Sequence, residues 1–408
     1  MADMRDEMLY AARTIEQVRN GAIDAQVTNL LDALHGEVVQ AGACSTVPKV
    51  VKSLVILGEQ AVIRRLQPNA GTLLDAEEKL VNDALRPVWT PYRKRRHHYV
   101  WQTYLKAWTH VPTGRLWCSR KGGRPFSSGT ADIGLENDLY RHHELTDRDV
   151  EFLTAFAGPT NQAIRKYTLG WIGYFQDLSE IRRRMVSLRR WDAKVQEFHD
   201  ILKSNFEEDI QSGVEDYAHD ILPELRRGEG AIFGDAAGER HLRWCVFLAT
   251  QVTRTPRFRE TLASTARMCP GVNEAAVIPV MRTMISWNMG YSLHLHRPLL
   301  KVEFLQADGA EFITGDQPAF ITGAAPRARK AEVGALARGD RAQSPQTQTI
   351  YYPLSPTLAL LMDFNAGSHS VVHRTASPGE VRNHNHMLAR VAHEQVYAAS
   401  ERALVELG

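Results

Sequence analysis

Leu300-Lys301-Val302-Glu303-Phe304-Leu305-Gln306-Ala307-Asp308-Gly309-Ala310-Glu311-Phe312-Ile313-Thr314 is the stretch that decides the fold class of this 408-residue chain. Its two apolar-rich runs, Leu300–Leu305 and Glu311–Thr314, flank Asp308-Gly309, a dipeptide suited to a tight hairpin turn. The spacing predicts a β-hairpin. Further on, Thr349–Tyr352 and Leu358–Met362 read as strands, broken at Pro353 and Pro356, with Gly323–Gln346 as an Ala-, Gly- and Arg-rich loop before them. Ser377-Pro378-Gly379-Glu380 supplies an N-cap, Pro at the first helical position and Glu at the third. The helix it opens is predicted to end near His393, before a short strand Gln395–Ala399.

The chain before this stretch is helical in pattern. Thr146 and Asp149 form a capping-box signature ahead of an apolar run. Helical spacing continues through Ile181, Val195, Phe198, Ile201, Phe206 and Ile210, and again over Leu242–Val252, with Gly228–Gly238 as a loop between. Four amphipathic stripes fill the first ninety residues, for example Val27, Leu30, Leu31, Leu34 and Val38. Pro87, Pro91 and the basic run Tyr92–Arg96 mark a boundary. A short strand, Gly114–Arg120, follows a Pro-Thr-Gly turn. The expectation is an α+β protein. Residues 1–90 form a helical N-terminal extension; residues 91–408 form a mixed domain with a helical middle and a C-terminal antiparallel sheet.

Composition narrows the function classes. The formal net charge is +2, with 44% hydrophobic and 24% charged residues. These are globular values, and they exclude a disordered tail or a supercharged nucleic-acid packaging protein. The four cysteines, Cys44, Cys118, Cys245 and Cys269, include no Cys-x-x-Cys pair. Buried thiols in a reducing cytoplasm are expected. The acidic opening Met1–Glu7 has no apolar core, and no apolar run approaches the roughly 20 residues of a membrane span. A cytoplasmic protein with no membrane partner is therefore expected. No P-loop, His-Glu-x-x-His, Gly-x-Gly-x-x-Gly or Gly-x-Ser-x-Gly pattern occurs. His384-Asn385-His386 falls on a predicted helix and reads as coincidence.

His97-His98-Tyr99-Val100-Trp101-Gln102-Thr103-Tyr104-Leu105 resembles the His-His-Tyr-Val-Pro-Gln-x-Tyr-Leu signature of the domain-of-unknown-function 4238 family. Further elements agree in order. They are Leu116-Trp117, Glu136–Tyr140, Arg254-Thr255-Pro256-x-x-Arg259, Phe312–Pro318, Tyr352–Pro356 and Asn385. The likeness covers roughly residues 93–400, with Trp101 standing where the family has Pro. It implies a fold group and carries no activity.

Within these motifs the residue types suggest chemistry. Imidazole moves protons near neutral pH and binds metals. Adjacent His97 and His98 on a strand point to opposite faces, so at most one of them faces a shared site; the alternative is one exposed histidine beside one core histidine. Arg96 just before and Gln102 just after add a cation and an amide suited to phosphate. Asp316, at a strand end before Gln317-Pro318, reads equally as a turn residue bonding amides and as a metal ligand or histidine orienter. Arg254 and Arg259 suit bidentate phosphate contact, or structural pairs with Glu260, Glu303 or Glu136. The basic run Arg182–Arg190 reads as a solvated helix face.

The leading expectation is a nuclease acting as a toxin or phage-defence effector. His97 or His98 and Asp316 are its candidate catalytic residues, with Gln102, Arg96, Arg254 and Arg259 holding substrate. A divalent metal on Asp316 and His98 is compatible with it. Nucleic acid is the expected partner, and the N-terminal helices offer a surface for a protein partner or a second copy. Two alternatives stay open: a non-catalytic interaction module, and a small-molecule enzyme with a pocket lined by Trp101, Trp108 and Trp117.

Overall fold

The computed structural model describes residues 93–158, 162–234, 238–322, 349–364 and 366–407. The four predicted N-terminal helices and the loop expected at Gly323–Gln346 lie outside these residues.

The described chain is α+β. In order it forms β1 (Arg96–His98), α1 (Gln102–Leu105), β2 (Arg115–Arg120), β3 (Phe126–Gly129), β4 (Leu135–Asn137), α2 (Asp147–Ala157), α3 (Gln162–Ser187) and α4 (Ala193–Asp216). Next come α5 (Ile221–Arg226), α6 (Ala231–Gly234), α7 (Glu239–Thr253), α8 (Pro256–Ala266) and α9 (Glu274–Leu295). The final part holds β5 (Lys301–Ala307), β6 (Thr314–Gly315), β7 (Phe320–Thr322), β8 (Thr349–Ser355), β9 (Leu358–Asp363), β10 (Ser370–Ala376), α10 (Pro378–Val391), β11 (Gln395–Ala398) and α11 (Glu401–Val405).

The chain divides into two units. One takes residues up to Lys94 with Tyr140–Leu145 and Gly170–Gly213; the other takes Arg95–Leu139, Thr146–Leu169 and Val214–Gly408. In the first unit, His142 is buried against Phe175 and Phe206, and burial holds its imidazole down at about 3. Arg182 of the basic run is exposed, pairs with Glu144 at 3.5 Å and lies over the Trp191 ring.

The second unit carries the family motifs. Its five-stranded sheet has the order β10-β5-β9-β8-β7, antiparallel except for the β10–β5 pair, which is parallel. A four-stranded antiparallel sheet has the order β3-β2-β11-β6, and β1 pairs with β4. Alternation along β8 separates its two faces. Tyr351 joins Leu305, Phe312, Ile313, Val381 and Leu388 in a core shared with α10. Tyr352 instead meets Trp244 and Phe247 of α7. Helix-bearing layers on both faces explain why β8 is apolar and buried nearly throughout.

The predicted hairpin at Asp308-Gly309 does not form. Gly309 turns with φ +67°, but β5 pairs with β9 and β10, while the segment after the turn crosses to the other sheet and pairs with β11. The turn is local chemistry; the strand partners are chosen by the core. Pro353 does not end β8 either. Its strand is paired to β7 only over Thr349–Tyr351, so the missing N–H falls past the end of β7, next to a bulge at Pro353/Ser355. The open carbonyl of Pro353 accepts from Tyr104 Oη at 2.7 Å.

The predicted caps are present. Thr146 and Asp149 exchange hydrogen bonds at 3.2 and 2.8 Å, and the second Asp149 oxygen accepts from Asn273 N at 2.7 Å, tying α2 to the start of α9. Ser377 caps α10 with Pro378 at its first position. Helix α9 was not foreseen. It is buried on nearly all sides from Ala276 to Met284, so it shows no amphipathic stripe. Gly290 lets α9 close on α7, where an added Cβ would stand 2.7 Å from Val246 Cα and 2.9 Å from its backbone nitrogen. Gly290→Ala is expected to destabilise the protein by about 1–3 kcal/mol in urea denaturation, because backbone must give way. An unchanged midpoint would show that the two helices do not cross this closely.

Candidate functional site

Every residue of the candidate site belongs to the second unit. Its first element is β1, whose pattern is exposed Arg96, buried His97 and half-buried His98. Strand geometry thus sends the two imidazoles to opposite sides, as the sequence implied. His97 is fully enclosed. His98 lies beside α1, with its Nδ1 3.2 Å from the side-chain amide nitrogen of Gln102. Four residues separate the pair, and the turn into α1 brings them together.

Trp101 precedes that helix with φ −60° and ψ 124°. This φ is the value a proline ring imposes, so the backbone suits the family's Pro and the Trp found here equally. The indole lies edge-on to Phe247, with ring centroids 5.7 Å apart.

The charges around His98 are mostly positive. Burial lowers its pKa from the ordinary imidazole value, and the guanidiniums of Arg254 and Arg96 lower it further; the Ala131 carbonyl and Asp132 oppose them. Arg96 donates to that same carbonyl at 2.7 Å and pairs with Asp132 at 3.0 Å, with both side chains more than half exposed. The result is an imidazole whose neutral form is favoured, with Nδ1 accepting from the Gln102 amide.

Arg254 ends α7 with none of its side chain exposed. Its Nη1 donates to Glu215 at 2.5 Å and its Nη2 to Gln251 at 3.3 Å. The structural partner expected among Glu260, Glu303 and Glu136 is therefore Glu215 instead, at the end of α4. Arg259 does take Glu136, at 2.7 Å.

The chemistry of Arg254-Thr255-Pro256-x-x-Arg259 is now local. Thr255 caps α8, Pro256 occupies its first turn, and Arg259 reaches back to β4. Sequence reasoning missed Glu215, Gln251 and Tyr352, which join Arg254 around the same buried point. Gln251 lies three residues before Arg254 on one helix face, the one signal available in the sequence.

Asp316 occupies a different position. It is fully buried, and its carboxylate accepts from the backbone N–H groups of His393, Glu394 and Gln395, each at 2.7 Å. Burial pushes its carboxyl above the usual range against the pull of these amides. Its charge reaches the Tyr99 phenol, whereas the charged groups acting on His98 are Arg254, Arg96 and Asp132. Among the described residues no group of three His, Cys, Asp or Glu side chains lies together in a metal-binding arrangement.

Gln317 accepts from Thr255 at 2.6 Å and donates to the Val252 and Ala319 carbonyls. Asn385 accepts from Ile313 N and donates to the Glu311 carbonyl, so the His-Asn-His run on α10 is structural. Trp108 donates to the Phe312 carbonyl and is sealed in the core, and Trp117 packs against the core under α10. Of the three tryptophans offered as a pocket, Trp101 packs against Phe247 of α7.

The family model for Protein of unknown function (DUF4238) matches residues 96–402. The chain belongs to this family. No match was found among curated proteins or among solved structures. The family's motifs therefore divide: His98 meets Gln102 and lies in the field of Arg254, while Asp316, Gln317 and Asn385 tie segments of backbone. No helix among the described residues is long and apolar enough to cross a membrane.

Asp316→Asn puts an NH2 group against a backbone N–H and removes one accepting oxygen. Stability is expected to fall by about 1–3 kcal/mol in urea denaturation. A variant as stable as the wild type would contradict the clamp.

Proposed function

We propose that the chain cleaves phosphodiester bonds of nucleic acid, with His98 as the proton-transfer group. The observation that carries this reading is the half-buried His98, set against Gln102, with burial first and the charges of Arg254 and Arg96 next lowering its pKa. A neutral imidazole takes the proton of the attacking water as its oxygen bonds to phosphorus; the P–O ester bond breaks, the imidazolium returns the proton to the leaving oxygen, and nearby guanidiniums stabilise the charge on the phosphate oxygens. Arg96 is the exposed cation that meets substrate, Arg254 the buried one, and Arg259 lies on α8, where its charge is shared with Glu136. Gln102 fixes the ring's orientation. Asp316 acts at a distance, by fixing the chain before β11. Service as a toxin or phage-defence effector belongs to this reading, and growth arrest on expression, relieved by His98→Ala, is its cellular readout.

The test is cleavage of RNA and DNA by wild type and His98→Ala, with and without a divalent cation. The variant is expected to lose about 100-fold or more of the activity. Equal cutting by both proteins would remove His98 from the chemistry. Because His98 works as a base from a lowered pKa, kcat/KM should rise as pH climbs through a midpoint below about 6.5 and stay flat through neutrality. A midpoint above that value would contradict the electrostatics described here.

A second reading, the non-catalytic interaction module, is favoured by how fully Asp316, Gln317 and Asn385 are engaged with backbone. It predicts no cleavage under any cation and partner binding that survives His98→Ala.

A further inference from the structure

Helix α7 and the residue that ends it place Trp244, Phe247, Gln251 and Arg254 three or four apart, along one face. That face meets β8, where the Tyr352 ring lies 6.0 Å from Trp244 and 6.5 Å from Phe247. Trp244, Gln251 and Tyr352 are buried to within 1% of complete. Yet among the described residues the Trp244 indole N–H, the Gln251 amide nitrogen and the Tyr352 hydroxyl find no hydrogen-bond partner. Native cores rarely leave one such group unpaired, and here two lie along one face of α7 and the third on the strand it meets. Gln251 is bonded through its oxygen to Arg254, and the Tyr352 hydroxyl lies in the field of Arg226, Arg254 and Glu215.

We propose that this face of α7 receives one phosphoryl group, with Trp244, Gln251, Tyr352 and Arg254 donating to its oxygens and Glu215 holding the guanidinium until it arrives. All four are donors, and their number suits the three non-bridging oxygens of a phosphoryl group better than the two of a carboxylate. Glu215 keeps 18% side-chain exposure, so the ion pair is the point reached from solvent. An incoming anion competes with that carboxylate for Arg254. His98 lies within the field of the same guanidinium. The identity of this phosphate as part of the substrate rests on the cleavage reading; the binding of a phosphoryl group here does not.

The experiment is calorimetric titration of the full chain with inorganic phosphate, with acetate at equal ionic strength as the two-oxygen control. Phosphate is expected to bind and acetate to bind at least about tenfold more weakly. Tyr352→Phe and Gln251→Met should each weaken phosphate by about tenfold, the weight of one hydrogen bond to an anion. Glu215→Gln should tighten it, since the competing charge is gone. His98→Ala should bind phosphate like the wild type, so loss of cleavage with binding intact separates the two claims. No heat from phosphate at about 10 mM in both wild type and Glu215→Gln would overturn the proposal. So would a lowered melting temperature in Tyr352→Phe with unchanged phosphate affinity, since that is the mark of a hydroxyl satisfied by internal water. Tyr352→Phe only removes an unpartnered group, so it is expected to fold.

Discussion

A guanidinium with no exposed side-chain surface must be neutralised where it lies, and Arg254 fixes much of its surroundings for that reason. Glu215, from the end of α4, has to stand against the end of α7 to pair with it, and Gln251 has to turn its oxygen inward. Removing either charge alone would strand the other. The pair also sets the electrostatic character of the region: His98 feels Arg254 as a cation and stays unprotonated, and Tyr352 is held between Arg226, Arg254 and Glu215. A buried ion pair adds little net stability. Its consequence here is a local field that reaches the family's histidine motif.

Around that point the chain is tied by side chains that bond backbone. Asp316 gathers three consecutive amides before β11, and Gln317 joins the α7–α8 junction to the segment leading into β7. Tyr104 bridges Thr314 and the Pro353 carbonyl while stacking on Tyr352 at 5.1 Å. These bonds link positions far apart in sequence, so a motif that looks like a catalytic set when read along the chain serves assembly in three dimensions. Cys118, sealed beside this network with its thiol pushed up to about 12, behaves as a small apolar side chain.

What was legible in the sequence is what local chemistry decides. The Thr146 and Ser377 caps, the Gly114–Arg120 strand and the opposite facing of His97 and His98 each depend on a few neighbouring residues. Pairing across the sheet was not legible. Asp308-Gly309 specifies a turn, but the register of β5 follows from β9 and β10, and β10 has too many polar residues, Ser370, His373, Arg374 and Thr375 among them, to stand out as a strand. Helix α9 hid because a helix buried on every side loses its period. At the site, His98, Gln102 and Arg254 were legible as residue types, whereas Glu215 lies 39 positions before Arg254 on another helix and carries no local mark.

The account turns on the charge state of one ring. Nitrogen-15 shifts of histidine-labelled protein, followed against pH and assigned with His98→Gln, report that state directly. The account predicts that His98 titrates below about 6.5, the ordinary imidazole value, and is neutral at pH 7. A His98 that titrates at or above that value, and so carries a proton at neutral pH, would contradict it.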